Sequence, residues 1–411
     1  MTYDRPAAGL RLSELEELEL TIEKLVAGGD GLGRFEGIPI FVPRSAPGDR
    51  VRARLFERRP DYGRAEIVEL LVAGPDRRAA PCPYFARCGG CDLQHLDDAA
   101  QTRLKAQALL ETLRRVSGLP VPEPRAVVAG HAWGYRLRTQ LHTRAAHGGY
   151  EVGYFARRSR DLVTVASCPV LVPQLETELA TLGRRLPERA PSRIDLASGD
   201  DAQVSYAPLI EGLPHGELRR RIGSFEYRFD ARCFFQGHAG LLEELVEVVV
   251  GPSTGETAVD LYGGVGLFAL PLARRYTRVV MVEGDRIATR FARKNARANL
   301  PDPPGPSGSN AGAKGLEIVG QAVETWVATG LADSLDRIVA DPPRDGLSTV
   351  VRRLLVLRPP RRLTYVSCHP AALGRDLREL SQVMEIESLV LLDLFPQTGH
   401  MEAVVQLTRR S

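Results

Sequence analysis

A chain of 411 residues exceeds what a single hydrophobic core usually fills, so two or three domains are expected. With 44% apolar residues, no apolar run near the roughly 18 to 20 residues of a membrane helix, and a start (MTYDRPAAGLRLSELEEL) without the charged-then-apolar secretory pattern, it reads as a cytoplasmic protein that makes no membrane contact. Six cysteines are too few for a disulfide scaffold and point instead to metal binding or catalysis, while the net charge of +3 excludes little.

In chain order, about Leu18 to Leu71 reads as short alternating strands broken by glycine: LTIEKLVAGGDGLGRFEGIPIFVP, VRARLFERR and GRAEIVELL. Val51, Ala53 and Leu55 share one face and Arg52 and Arg54 the other, the pattern of a small β-barrel. Such barrels often bind oligonucleotides, although the fold alone assigns no function. A proline-punctuated cysteine segment follows, PCPYFARCGGCDLQH, and then a helix in DDAAQTRLKAQALLETLRRV behind Asp97 and Asp98. Between Arg103 and Arg160 stand eleven Lys or Arg against three Glu, a stretch able to face phosphate. Nearly all of this charge is arginine, which genomic base composition explains equally well. Gly134 to Val172 returns to strands (GYRLRTQLHT, GYEVGYFAR, LVTVASCPVLV).

After about Phe225 strand and helix alternate: LLEELVEVVV helical, TAVDLY a strand, a helix after the glycines, RVVMVEG a strand, RIATRFARKNARANL helical. Such alternation means a parallel sheet covered by helices. Pro301 to Gly315 reads as a loop or disordered insertion. The expected fold class is α/β multidomain, with a barrel over 16–74, a cysteine-bearing α+β domain over 75–225 and the alternating sheet over 226–411.

The segment AVDLYGGVGLFALPLA is a strand ending in Asp260, a Gly263-Gly264-Val265-Gly266 turn, then a helix. Glycines let backbone approach a ligand, and Glu283, 23 residues beyond Asp260 at the end of the next strand, can accept hydrogen bonds from both ribose hydroxyls. An adenosine-containing cofactor is implied. A nucleotide phosphate loop would need Lys-Ser or Lys-Thr after the glycines, and none is present. Between a dinucleotide redox enzyme and an S-adenosylmethionine methyltransferase, Asp341-Pro342-Pro343-Arg344 at the end of DRIVADPPR favours the methyltransferase. Amine methyltransferases usually close this pattern with an aromatic residue, where Arg344 stands here.

YVSCHPAALGRDL ends a strand in Cys368. Carbon 5 of a pyrimidine is a poor nucleophile, so its methylation needs a group such as a thiolate to add first at carbon 6. A base must then remove the carbon 5 proton before the thiolate can leave. Glu402, just after the turn PQTGH, suits that part. A buried cysteine with a surface glutamate is the bland alternative.

DLYGGVGLFALPLA, DPPRDGL, YVSCHPAALGRDL and QTGHMEAVVQL, in this order, resemble the four motifs of the RNA uracil-5 methyltransferases. The resemblance implies a Rossmann-like methyltransferase sheet, Cys368 as nucleophile, Glu402 as base, and Asp341 near cofactor and target. It implies further that Gln236, Tyr262 and Glu283, with Gly264, Gly266 and Asp341, meet S-adenosylmethionine, and that Phe234 helps hold a flipped uracil. GDGLGRFEGIPIFVP resembles the OB-like TRAM barrel, and GYRLRTQ an RNA-facing strand, making Arg136 and Arg138 candidates. PCPYFARCGGCDLQH with the later SCP resembles the cluster motif of ribosomal-RNA members, which implies a 4Fe-4S cluster on Cys82, Cys88, Cys91 and Cys168; spacing alone leaves zinc open. Cys233 reads as a packed thiol. Leu267 and His369 depart from the family pattern, which usually has a polar residue and Asn there; a hydrogen-bonding role is expected of His369, with proton handling as the second reading.

The implied function is 5-methyluridine formation in RNA, with 23S rRNA favoured by the barrel and the four cysteines, and tRNA the alternative substrate. Cytosine-5 methylation is the nearest chemical rival, but such enzymes carry a cysteine in or just beyond the fourth-strand motif. A non-catalytic RNA-binding iron-sulfur protein is the rival from another class.

Overall fold

The structure, a computed structural model, describes residues 16–300 and 315–410. The segment Pro301 to Gly315, read as a loop or disordered insertion, lies outside the described residues except for Gly315. Two compact units form. Of the described residues, one takes those up to Leu109 together with Pro396–His400, and the other those of Leu110–Phe395 and those from Met401.

In the first unit β1 (Glu17–Leu25), β2 (Asp30–Phe35), β3 (Ile38–Pro43), β4 (Arg50–Arg58) and β5 (Gly63–Val72) close into a barrel in the order β1-β2-β3-β5-β4. Alternate residues point inward, as the pleat requires, so Leu18, Leu20, Ile22, Ile40, Val42, Val51, Ala53, Leu55 and Ala65 make one core. Removing that apolar surface from water, at about 25 cal/mol per Å², drives closure, and closure leaves no exposed sheet edge. Arg52 and Arg54 do face outward, but each is paired across strands: Arg52 with Glu19 and Glu69, Arg54 with Glu17. The outer row is therefore a ladder of both signs rather than a basic stripe.

Fully buried Asp49 accepts Arg77 at 2.6 Å and the backbone amides of Ala46 and Gly74 at 2.6 and 2.8 Å. Burial opposes its charge, but Arg77 and the two amides outweigh burial and hold the carboxyl below its usual pKa. This ties the segment leading to the cysteines onto the turn before β4. The predicted helix follows as α1 (Asp98–Ser117), whose last residues belong to the second unit.

The second unit contains β6 (Ala126–Ala129), then an antiparallel sheet of β7 (Arg138–Ala146), β8 (Gly149–Phe155), β9 (Leu162–Thr164), β10 (Arg193–Ser198) and β11 (Val204–Ala207) in the order β11-β10-β7-β8-β9. Helix α2 (Pro173–Arg185) packs on it through Leu175, Leu179 and Leu182, and β12 (Leu218–Ile222) with β13 (Phe225–Phe229) forms a hairpin. Next come α3 (Leu242–Val250), β14 (Gly255–Leu261), α4 (Ala269–Ala273), β15 (Tyr276–Glu283), α5 (Arg286–Asn299), β16 (Leu316–Gly320), α6 (Val323–Gly330), β17 (Arg337–Ala340), α7 (Thr349–Leu357), β18 (Arg362–Ser367), α8 (Pro370–Leu380), β19 (Met384–Asp393) and β20 (Glu402–Arg409). The expected sheet is present, with eight strands in the order β16-β15-β14-β17-β18-β20-β19-β6, all parallel except β20, which runs antiparallel to its neighbours β18 and β19. Its central strands read as continuous apolar runs because helices cover the sheet, and all four residues of β17 are buried. Helix α4 is shorter than the sequence suggests. Its Pro271 offers no N–H, and only two residues separate it from β15.

Candidate active site

Four strand ends meet at one edge of the eight-stranded sheet. β14, β17 and β18 are parallel neighbours, so their carboxyl ends share a side, and β20, antiparallel to β18, begins there. Ligands of open parallel sheets bind at this edge. Ala340 pairs with Leu261, so Asp341 emerges beside the glycine turn, its N–H 3.4 Å from the Leu261 carbonyl. Ser367 pairs with Ala403, and one further antiparallel step sets Cys368 across from Glu402. Asp260, Asp341, Cys368 and Glu402, distant in sequence, are thus neighbours by register.

On the cofactor side, Tyr262, Gly264 and Gly266 all have left-handed backbone, with φ of +63°, +57° and +93°. For Tyr262 that conformation is strained, and its hydroxyl donates to Glu324 at 3.3 Å. A Cβ on Gly263 would stand 2.5 Å from Met281 Cγ, so that glycine is needed for packing; one on Gly264 would meet open space. The Gly264 and Asp285 amides donate to the two Glu283 oxygens at 2.8 and 2.6 Å. Each oxygen keeps a lone pair for a ligand hydroxyl. Gln236 donates to Asp341 at 3.2 Å, while its buried Oε1 has no partner.

Asp260 is fully buried with no donor in hydrogen-bonding geometry on either oxygen. Burial first, then Asp341 and Glu283, push its pKa well above the usual range, and the Ala269 amide pulls only partly the other way. A buried unpaired acceptor costs about 1–3 kcal/mol. Orphaned acceptors on Asp260 and Gln236 therefore fit a ligand that brings donors, as the ammonium and ribose of S-adenosylmethionine do. Sequence reasoning treated Asp260 only as a strand end; an acid three residues before a glycine turn was the signal to follow.

On the chemical side, burial and the neighbouring Glu402 and Asp341 push the Cys368 thiol up to about 11, and Arg344 works against them. Asp341 is pushed up to about 7 by burial, opposed by the Gln236 hydrogen bond. Glu402, 2% exposed, is raised well above the carboxylate range by burial and then by Asp341, and its Oε1 has no partner. Acids this close ionise as a set rather than singly. Cys368 itself is half-buried rather than exposed. His369 caps α8: its Nδ1 accepts the Ala372 N–H at 3.2 Å, so the ring proton of the neutral form sits on Nε2.

Asp376 is a further residue that sequence reading missed. Fully buried on α8, it accepts Tyr365 OH at 2.6 Å and the Leu347 amide at 2.8 Å, and pairs with Arg352 and Arg375. It thereby holds the DPPRDGL loop whose Asp341 faces the site.

Phe234 is 67% exposed, a large ring presented to solvent. Arg138 spends its guanidinium on the carbonyls of Asp230, Ala231 and Cys233, at 3.4, 3.1 and 2.6 Å, and so braces the turn that presents Phe234. Arg136 lies over the Tyr135 ring at 5.9 Å. Cys233 is buried, with its thiol pushed up to about 11 chiefly by burial. Cys82, Cys88 and Cys91 lie in the first unit and Cys168 in the second, none of them in a disulfide. Gly90 N–H donates to Cys88 Sγ at 3.3 Å. Among the described residues no group of three or more His, Cys, Asp or Glu side chains is arranged to hold a metal ion. The donor chemistry of the four thiols suits iron or zinc.

A strand-end thiol across from a buried carboxyl, beside the orphaned acceptors of Asp260 and Gln236, suits the class that the motifs implied, and that class is the one comparison with known proteins gives. The family model described as tRNA (Uracil-5-)-methyltransferase matches residues 331–410, which hold Asp341, Cys368 and Glu402, and that of the TRAM domain matches residues 12–68. The chain belongs to the RNA uracil-5 methyltransferases. Among its relatives, the 23S rRNA (uracil(1939)-C(5))-methyltransferase RlmD of Pseudomonas putida is 33% identical over 97% of this chain and 96% of its own length. RlmD of Alkalilimnicola ehrlichii is 31% identical over 96% and 97%. The fold is shared with Pyrococcus abyssi tRNA (uracil-54, C5)-methyltransferase, solved in complex with S-adenosyl-L-homocysteine, at a TM-score of 0.71 and 24% identity, covering 95% of this chain and 99% of that one. Among the described residues no helix is long and apolar enough to cross a membrane.

Proposed function

We propose that this protein methylates carbon 5 of a uridine in 23S rRNA, with Cys368 as nucleophile, Glu402 as base and Asp341 beside both. The thiol and the buried carboxyl on facing strand ends, next to the orphaned acceptors, support this most directly. Near full-length similarity to proteins named RlmD supports the ribosomal substrate. Work on nascent ribosomal RNA suits a cytoplasmic protein.

Cys368 acts as the thiolate, its proton having left to solvent, and Arg344 favours that charge. Sγ forms a bond to carbon 6, and the carbon 5–carbon 6 π electrons move onto carbon 5 and the carbonyl at carbon 4. Gln236, Tyr262, Gly264, Gly266, Glu283 and Asp341 would hold S-adenosylmethionine, which would supply a methyl group to the electron pair on carbon 5 and leave as S-adenosylhomocysteine, its sulfur keeping the pair of the broken carbon–sulfur bond. Glu402, ionised, takes the carbon 5 proton; the ring double bond re-forms and the carbon 6–sulfur bond breaks, returning Cys368 as thiolate. Phe234 and Arg136 serve as RNA contacts, with Arg138 supporting the turn beneath Phe234. Thiolate chemistry suits iron or zinc, and Cys82, Cys88, Cys91 and Cys168 would be the ligands of a 4Fe-4S cluster, with zinc as the alternative. Iron, sulfide and zinc content of anaerobically purified protein decides between them.

Purified protein is incubated with unmodified ribosomal RNA and labelled S-adenosylmethionine, and the labelled nucleoside identified after digestion. Label in 5-methyluridine that vanishes with Cys368→Ala is expected. Label in cytosine or adenine, or activity surviving that substitution, defeats the mechanism; label in tRNA alone shifts the substrate.

A further inference from the structure

The connection between β19 and β20 contains Pro396–His400, five residues that belong to the first unit although both strands lie in the second. Gln397 is its hub: fully buried, with φ of +67°, a strained conformation for a non-glycine residue that persists only where surroundings over-determine it. Its carbonyl accepts the amides of Asp92 and Leu93 at 2.9 and 3.0 Å. Its own amide donates to Gln101 Oε1 at 2.9 Å, its side-chain Oε1 accepts Gln101 Nε2 at 2.9 Å, and its Nε2 donates to Asp98 at 2.7 Å. Every polar group of Gln397 is thereby used. Two residues on, Gly399 N–H donates to the Asp92 carboxylate at 2.9 Å, and a Cβ there would stand 2.3 Å from the Gly28 backbone. An ordinary hairpin connection is held by its own turn residues. This one is held by residues about three hundred positions earlier, 296 in the case of Gln101.

Glu402 is the second residue after this loop and the first of β20. Pairing with Leu392 fixes one side of its backbone, and on the amino-terminal side only Met401 separates it from the held segment. We propose that Asp92 and Gln101 are positioning residues for Glu402, acting through Gln397 and Gly399; this rests on the reading of Glu402 as the base. A misplacement of about 1 Å in a reacting group can cost on the order of 100-fold in rate. Addition at carbon 6 and methyl transfer use Cys368 and the cofactor residues, which, Gln236 apart, are anchored at the ends of β14, β15, β17 and β18. Slackening the loop therefore slows the last step, proton removal, and leaves the methylated uracil bonded to Cys368.

The test uses the full-length protein, a ribosomal RNA transcript and labelled S-adenosylmethionine, quenched in denaturant so that label in free RNA and in protein-linked RNA is counted separately. Asp92→Ala and Gln101→Ala are expected to lose about ten- to a hundredfold in turnover while the protein-linked fraction rises several-fold and S-adenosylmethionine affinity is unchanged. Asp92→Asn, whose amide oxygen can still accept the Gly399 N–H, restores both. Glu402→Gln, run beside them, accumulates the same adduct. If Glu402→Gln traps adduct but Asp92→Ala and Gln101→Ala turn over like the parent, or lose turnover without adduct, the positioning role is overturned while the base assignment stands. If both variants lose cofactor affinity together with turnover, the loop is a folding element and the proposal fails. No adduct in Glu402→Gln overturns the base assignment and this inference with it.

Discussion

In the free protein Cys368 should be a slow thiol. Burial, Glu402 and Asp341 move its pKa to about 11 from an ordinary 9.0. At about pH 7.5 that leaves roughly one thiol in 3,000 ionised, against roughly one in 30 for an unperturbed cysteine, a loss of about 100-fold in thiolate. A more basic thiolate attacks faster, by about six- to tenfold for this shift at a Brønsted slope of about 0.4 to 0.5, so the net alkylation rate should fall about ten- to sixteenfold. The assay is iodoacetamide labelling of the full-length protein, with the Cys368 peptide quantified by mass spectrometry against a small reference thiol. The labelling rate should climb about tenfold per pH unit and show no plateau up to about pH 10. Turnover should also rise with pH from about 7 to 9, because the Cys368 thiolate becomes more abundant. Arg344→Ala, which removes the charge favouring the thiolate, should slow labelling further. A plateau at or below about pH 9, or labelling as fast as the reference thiol, would refute the electrostatic account of this site.

Phe234→Ala should weaken RNA binding by about 1–3 kcal/mol, roughly 5- to 160-fold by filter binding, with cofactor affinity unchanged, since one exposed ring stacks about one base. Gly263→Ala should place a methyl group against Met281 and lower cofactor affinity or stability by about 1–3 kcal/mol in calorimetry. Asp49→Asn should destabilise the protein by about 3–5 kcal/mol in urea unfolding, because Arg77 loses a buried partner. The Asp49 carboxyl is held below its usual pKa, so its contribution is complete above the unfolded value and is lost as pH falls through the folded one; the variant should lack that part of the acid sensitivity.

Much of the candidate site was legible because the chemistry proposed for it requires particular residues at strand ends. A glycine turn after Asp260, an acid-Pro-Pro after β17 and a cysteine after β18 are local patterns, each fixed by what a few adjacent residues can do. Arg138 shows the limit. An arginine on an alternating strand looks free to meet phosphate, yet its donors go to three carbonyls about 92 to 95 residues away, a commitment no local pattern records. Asp376 and Gln397 were passed over for the same reason, since their partners come from remote segments. The outward arginines of β4 were readable as outward, but not as paired with Glu17, Glu19 and Glu69 on neighbouring strands.

Sequence by itself determined the inward and outward faces of the barrel, the alternation that builds the parallel sheet, and the identity of the nucleophile, base and cofactor residues as candidates. Periodicity and turn chemistry act over a few residues and leave their mark in the string. Only the tertiary structure decided that β20 runs against β18 so that Glu402 comes opposite Cys368, that Asp260 is sealed without a donor, and that the loop before Glu402 is held by Asp92 and Gln101. Strand order, burial and long-range hydrogen bonds depend on which distant segments pack together, and the acidities that govern this site follow from that packing.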